Sequence, residues 1–188
     1  PVVATREEVM KMLNAPDTES PRGVRDRAFI ELAYSTGMRR EELIRLEITD
    51  INMPERTVRV LGKGEKERIL PIGGSAIHWL GEYINKARVE LLEGSENKSL
   101  WIKRGGGRLN YECVQYIINL SKAKAGITRK MTCHDFRRAF ATHMLQNGAG
   151  PVDIQHLLGH STLTHLRHYL RLTITDLKQV HAESKPGQ

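Results

Sequence analysis

One change of period constrains this chain more than any other feature. Over residues 48–72 the pattern runs at a period of two: "TVRVLGKGEKERILPI" gives β-branched alternation, a Gly-Lys-Gly-Glu-Lys turn and a second short strand ended by Pro71. With "ITDINM" ahead of it, this predicts a small antiparallel sheet of about three strands. On either side the spacing is helical. Thr5 and Glu8 form a capping box that opens TREEVMKML. Residues 26–37, DRAFIELAYSTG, carry apolar residues at helical spacing and stop at Gly37, which predicts a C-cap. Arg39 then opens the next short helix, RREELIRLE. Further helices are predicted over 75–92, 110–125, 133–147, 151–158 and roughly 162–170. The expected fold class is α+β, mainly α-helical with a small three-stranded antiparallel sheet.

A chain of 188 residues, 39% hydrophobic, can bury one good core, so a single domain over 1–188 is expected. The capping box at Thr5 puts the first element almost at the start, which suggests a domain cut from a longer protein. After Tyr169, Leu172, Ile174, Leu177 and Val180 form an apolar stripe too small to be a core of its own, so residues 173–188 are expected to dock as a C-terminal tail. No apolar run approaches the ~20 residues of a membrane span, and the N-terminus lacks the apolar stretch of a signal peptide. A soluble, cytoplasmic protein is the expectation. Cys113 and Cys133 are isolated and form no CxxC pair, so both are read as reduced bystanders.

Charge narrows the function. Residues 1–100 hold 16 Lys+Arg against 17 Asp+Glu, whereas 101–188 hold 13 against 5 and seven of the eight histidines. A one-sided basic half speeds encounter with a polyanion and releases counterions on binding, so nucleic acid is the expected partner.

Within that half, Thr132 and Asp135 form a second capping box around "TCHDFRRAFATHML". His134 falls in the first turn and Arg137 one turn later on the same face. Free N–H groups and the positive dipole end make a helix start an anion site, and an arginine fork matches two phosphate oxygens. Other polar residues stand at Gly-marked junctions: Arg39 in "STGMRREEL", Lys63 in "VLGKGEKER", His160 in "LLGH", with Tyr169 nine residues later.

Two rival readings address the C-terminal residues. His156 and His160, four apart, raise the question of zinc, but Gly159 interrupts the helix and no HExxH glutamate is present. "GPVDIQHLLGHSTLTHLRHYL" also reads as a helix-turn-helix of a non-catalytic DNA binder. Neither accounts for Arg39 and Lys63 in their own turns a hundred residues away.

The blocks TGMRREEL, GKGEKERILPI, HDFRRAFATHML and LLGHSTLTHLRHYL, in this order, resemble the tyrosine recombinase (phage integrase) family, and in particular the catalytic domain of Xer-type site-specific recombinases. The resemblance runs from about Thr5 to Leu177. It departs at Arg138, where the family often has histidine, and at His165, where small hydroxyl residues are common. It implies Arg39 as the first catalytic arginine, Lys63 as the hairpin lysine, His134 and Arg137 as the HxxR pair, His160 as the later histidine and Tyr169 as the nucleophile, with Glu42 in support. It further implies cleavage and rejoining of double-stranded DNA through a 3′-phosphotyrosyl link, with no metal, ATP or other cofactor. A monomer free in solution, a tetramer on paired DNA sites, a tail that packs on a neighbouring protomer and a separate N-terminal DNA-clamping domain, absent from this chain, are implied too. A type IB topoisomerase-like nicking and rejoining enzyme would use the same residues.

Overall fold

The computed structural model describes residues 2–159. The helix expected over roughly 162–170, the tail at 173–188, and His160 and Tyr169 lie outside the described residues.

Helix α1 (Arg6–Leu13) starts at the expected capping box: the Glu8 N–H donates to Thr5 Oγ1 at 3.1 Å and the Thr5 N–H to Glu8 Oε2 at 2.9 Å. Its apolar side buries Val9, Met12 and Leu13. Helix α2 (Pro21–Thr36) begins five residues earlier than periodicity predicts, because Ser20 accepts the Gly23 N–H and Pro21 occupies the first turn. It ends as expected at Gly37, in the left-handed region at φ 63°. A two-residue link then leads to α3 (Arg40–Arg45), with Arg39 at its N-cap.

The period-two stretch folds into the antiparallel sheet β1 (Ile51–Asn52), β2 (Thr57–Leu61) and β3 (Glu67–Pro71), in that spatial order. "ITDINM" contributes only a single helical turn and the two-residue strand β1. Register pairs Val58 with Leu70 and Val60 with Arg68, which turns Val58, Val60 and Leu70 inward. Lys63 sits in the turn between β2 and β3, closed by the Gly62 N–H on the Lys66 carbonyl at 2.9 Å.

Helices α4 (Gly74–Glu82) and α5 (Arg88–Leu92) are joined by one π turn at 83–87 into the rod expected over 75–92. That rod fixes the loop after it: Tyr83 donates to the Leu100 carbonyl at 2.6 Å, and Arg88 donates to the carbonyls of Asn97 and Ser99. Trp101 is thereby fully buried, edge-on to Phe29 and stacked on Tyr83. Burial of three such rings contributes roughly 2–3 kcal/mol each before entropy is counted. Helices α6 (Tyr111–Lys124) and α7 (Cys133–Gln146) close the core through Val114, Ile117, Ile118, Phe136 and Ala139. Helix α8 (Pro151–Leu158) packs on the end of α7 through a small satellite cluster of Phe140, Leu145, Ile154 and Leu158.

Candidate active site

The two halves of the chain meet at the N-terminal turns of α3 and α7. Helix α7 starts where Asp135 accepts the Thr132 N–H at 2.7 Å and the Thr132 hydroxyl at 3.1 Å. His134 is exposed in its first turn, and Arg137 follows on the buried side, 3% exposed. Arg137 donates from Nη1 to the Gly37 carbonyl at 2.7 Å and from Nη2 to the Leu158 carbonyl at 2.8 Å. One guanidinium therefore ties the C-terminal end of α2 to that of α8.

Gly37 is required for that link. A Cβ there would sit 2.4 Å from Phe140 Cδ1 and 2.9 Å from a Leu158 methyl, and its φ of 63° disfavours any L side chain. The turn it makes delivers Met38 to the core and Arg39 to the surface of a cleft of about 340 Å³. Arg39, Arg40, His134 and Arg137 line this cleft together with Thr132 and Glu41. A larger cavity of about 690 Å³ lies between the start of α2 and α6 and contains none of the expected site residues. The arginines and the histidine converge on the smaller cleft.

Glu42 supports Arg39 from below. Its carboxylate, buried at the cleft's edge, accepts the Arg39 N–H at 2.8 Å and Arg39 Nη1 at 3.4 Å. It also takes a two-point fork from Arg68, Nη1 to Oε1 and Nη2 to Oε2, both at 2.9 Å. Burial alone would raise the Glu42 pKa, but the Arg68 hydrogen bonds, the Arg39 N–H and the charges of both arginines outweigh it and hold the carboxyl below its ordinary value. Glu42 therefore stays ionised and keeps both guanidiniums in place.

His134 behaves in the opposite sense. Partial burial first, then the charges of Arg138, Arg137 and Arg39, lower its pKa, with Asp135 opposing. Its imidazole is neutral at neutral pH and offers one N–H and one lone pair.

Lys63 stands apart: it is exposed on the hairpin turn and is not part of the cleft wall. The structure thus brings Arg39, His134 and Arg137 together, with Glu42 behind them, and leaves Lys63 on an adjoining turn. Two contributors escaped the sequence reading. Arg68 shares the inward phase of β3 with Leu70, and an arginine in an apolar phase was the available signal. Arg40 stacks its guanidinium 4.0 Å from the Tyr111 ring centre, while Tyr111 donates to Glu41 at 3.2 Å; no local spacing announces a pair 71 residues apart.

The sequence pattern of the phage integrase family matches residues 3–175. The chain is 38% identical over 186 residues to tyrosine recombinase XerD of Staphylococcus haemolyticus and 37% identical to that of Staphylococcus epidermidis, covering 99% of this chain and 63% of each relative. It therefore spans under two thirds of the length of these relatives. The fold superposes on the crystal structure of XerA recombinase with a TM-score of 0.84 at 26% identity, over 100% of this chain and 67% of that one. It superposes on XerH site-specific recombinase, in a pre-cleavage complex with its difH substrate, with a TM-score of 0.74 at 29% identity, over 90% of this chain and 50% of that one. With a family match across nearly its whole length and the fold of these recombinases, the chain belongs to the phage integrase family of tyrosine recombinases.

Proposed function

We propose that this chain is the catalytic domain of a site-specific DNA recombinase that cleaves and rejoins DNA through a 3′-phosphotyrosyl intermediate, without metal or ATP. The observation that carries this reading is the convergence of Arg39, Arg137 and a neutral His134 on one cleft, with Glu42 fixing Arg39. A DNA phosphodiester gains charge on its non-bridging oxygens as a nucleophile attacks. Two planar, always-charged forks and a histidine donor stabilise that charge in place of a metal ion. Tyr169 supplies the attacking phenolic oxygen and its proton passes to a neighbouring base, for which the neutral His134 is suited. The new Tyr169–phosphorus bond replaces the bond from phosphorus to the 5′-oxygen, and Lys63 delivers the proton that the leaving oxygen takes up. His160 joins the donors to the phosphate. The bond energy is kept in the phosphotyrosine, so rejoining is the same exchange in reverse.

Double-stranded DNA is the substrate in this reading, consistent with a relative solved on its difH site and with the basic C-terminal half. Being a cytoplasmic monomer when free and a tetramer on paired sites, with residues 173–188 docking on a neighbour, belongs to the same proposal.

The test offers two recombination sites on one supercoiled plasmid. Reciprocal exchange that requires both sites supports the recombinase; relaxation of any plasmid without exchange would favour the topoisomerase-like alternative, and binding without cleavage the helix-turn-helix one.

A further inference from the structure

Arg68 has no part in the reaction just described, yet it joins the hairpin that bears Lys63 to α3 and to the end of α8. It projects from β3, with Val60 of β2 as its register partner, one pair below the end of the hairpin whose turn bears Lys63. Its Nη1 and Nη2 fork onto Glu42, which in turn holds the backbone N–H and the guanidinium of Arg39. Its Nε donates to the Leu157 carbonyl at 2.9 Å, beside the Leu158 carbonyl taken by Arg137. These are last-turn carbonyls of α8 that lack helical partners, so two arginines cap the helix that ends just before His160.

The fit around the guanidinium is close. A Cβ on Gly159 would lie 3.2 Å from Arg68 Cζ, and one on Gly62, the residue before Lys63, would lie 3.4 Å from Arg68 Nη1. Both glycine-marked turns are therefore packed against one planar group. The side chain is only 14% exposed, and its partner Glu42 only 6%.

A hairpin of two short strands can tilt relative to the helices beside it, and Lys63 at its tip would move furthest. Among the described residues, the Arg68 side chain ties β3 to both α3 and α8. Resting on the recombinase reading above, we infer that Arg68 is a positioning residue: through its fork to Glu42 and its bond to Leu157 it sets the lysine hairpin against the arginine cleft, so that Lys63 meets the leaving 5′-oxygen. Lysine cannot replace it, since a single ammonium cannot satisfy a two-point carboxylate fork and a carbonyl from one plane.

The experiment is single-turnover cleavage by the full chain of a nicked suicide duplex, made once with the ordinary 5′-bridging oxygen and once with sulfur there. Sulfur leaves as a thiolate and needs no proton, so it makes Lys63 dispensable. Arg68→Met is expected to slow cleavage of the oxygen substrate by about 100-fold and of the sulfur substrate by less than about 5-fold, since misplacing a proton donor forfeits its rate contribution alone. Adding Lys63→Met to Arg68→Met should cost nothing further on the oxygen substrate. Arg68→Lys, which preserves the charge and the fold, should show the same selective loss at reduced size and decides the matter if Arg68→Met does not fold. Equal losses on the two substrates, or additive losses in the double variant, would overturn the assignment and leave Arg68 as a packing residue. Wild-type protein that forms no adduct with either duplex would instead overturn the recombinase reading itself, and this one with it.

Discussion

Arg137 Nη1 lies 2.7 Å from the carbonyl oxygen of Gly37, a hundred residues away in sequence. That bond joins the HxxR helix to the turn that presents Arg39, so the geometry of the proposed phosphate site and the stability of the fold share one contact. Replacing Arg137 by Lys should therefore do two things. It should lower cleavage by about 100-fold or more, since a single ammonium cannot hold the Gly37 and Leu158 carbonyls and still present its charge to the phosphate from one plane. It should also lower folding stability by about 2 kcal/mol, because two buried carbonyls lose charged donors. Urea melts and single-turnover cleavage check the two effects; unchanged cleavage would remove Arg137 from the site.

Gly37→Ala tests the same joint from the other side. The added methyl would meet Phe140 at 2.4 Å on a backbone at φ 63°, and together strain and overpacking should cost about 2–4 kcal/mol. The thermal midpoint should fall accordingly. A variant that melts like the wild type would show that α2 can end without this turn.

Much of this architecture is legible in the chain because it is local. The capping box at Thr5, the stop at Gly37 and the hairpin around Lys63 each rest on neighbours a few residues apart, and helix and strand periods separate the sheet from the helices. The start of α2 was less legible, since Ser20 and Pro21 lie in a run where no apolar periodicity begins. Residues that line the cleft could be named from a Gly-marked turn and a capping box, but not their wiring. The Arg68–Glu42 fork spans 26 residues and the Arg40–Tyr111 stack spans 71, and such pairs are set by how helices and hairpin pack. Burial of Arg137 was unreadable for the same reason: helical phase placed it beside His134, whereas the carbonyls that hold it come from α2 and α8.

His143 should make stability fall at mildly acidic pH. Its Nδ1 lies 2.9 Å from the Tyr34 hydroxyl; burial and then the charge of Arg6 lower its pKa, a hydrogen bond to Ala4 opposing. The folded-state value lies below the unfolded value of about 6.5, so the fold favours the neutral ring. This contribution is complete above that pH and is lost as pH falls from it through the lower folded-state value. The urea midpoint should drop between pH 7.5 and 5.5, and drop less in His143→Gln. Equal pH dependence in both proteins would exclude His143 as the origin. Depressed carboxyls such as Glu42 act in a lower window, below about 4.5, and do not contribute there.

His134 should shape the pH dependence of cleavage. With its pKa lowered by partial burial and by the neighbouring arginines, it stays unprotonated to below the usual histidine range. If it accepts the phenolic proton, the acidic limb of the cleavage rate should lie below about pH 6.5 and disappear in His134→Gln. A limb that persists in that variant would assign the base elsewhere.

The most direct measurement of the central claim is covalent trapping on a nicked suicide duplex carrying the target site, in EDTA, read by denaturing electrophoresis with wild-type protein and Tyr169→Phe side by side. The account predicts a protein–DNA adduct from the wild type despite the chelator, and none from Tyr169→Phe. An adduct that persists in Tyr169→Phe, or one that forms only when Mg²⁺ is restored, would contradict a metal-free phosphotyrosyl mechanism.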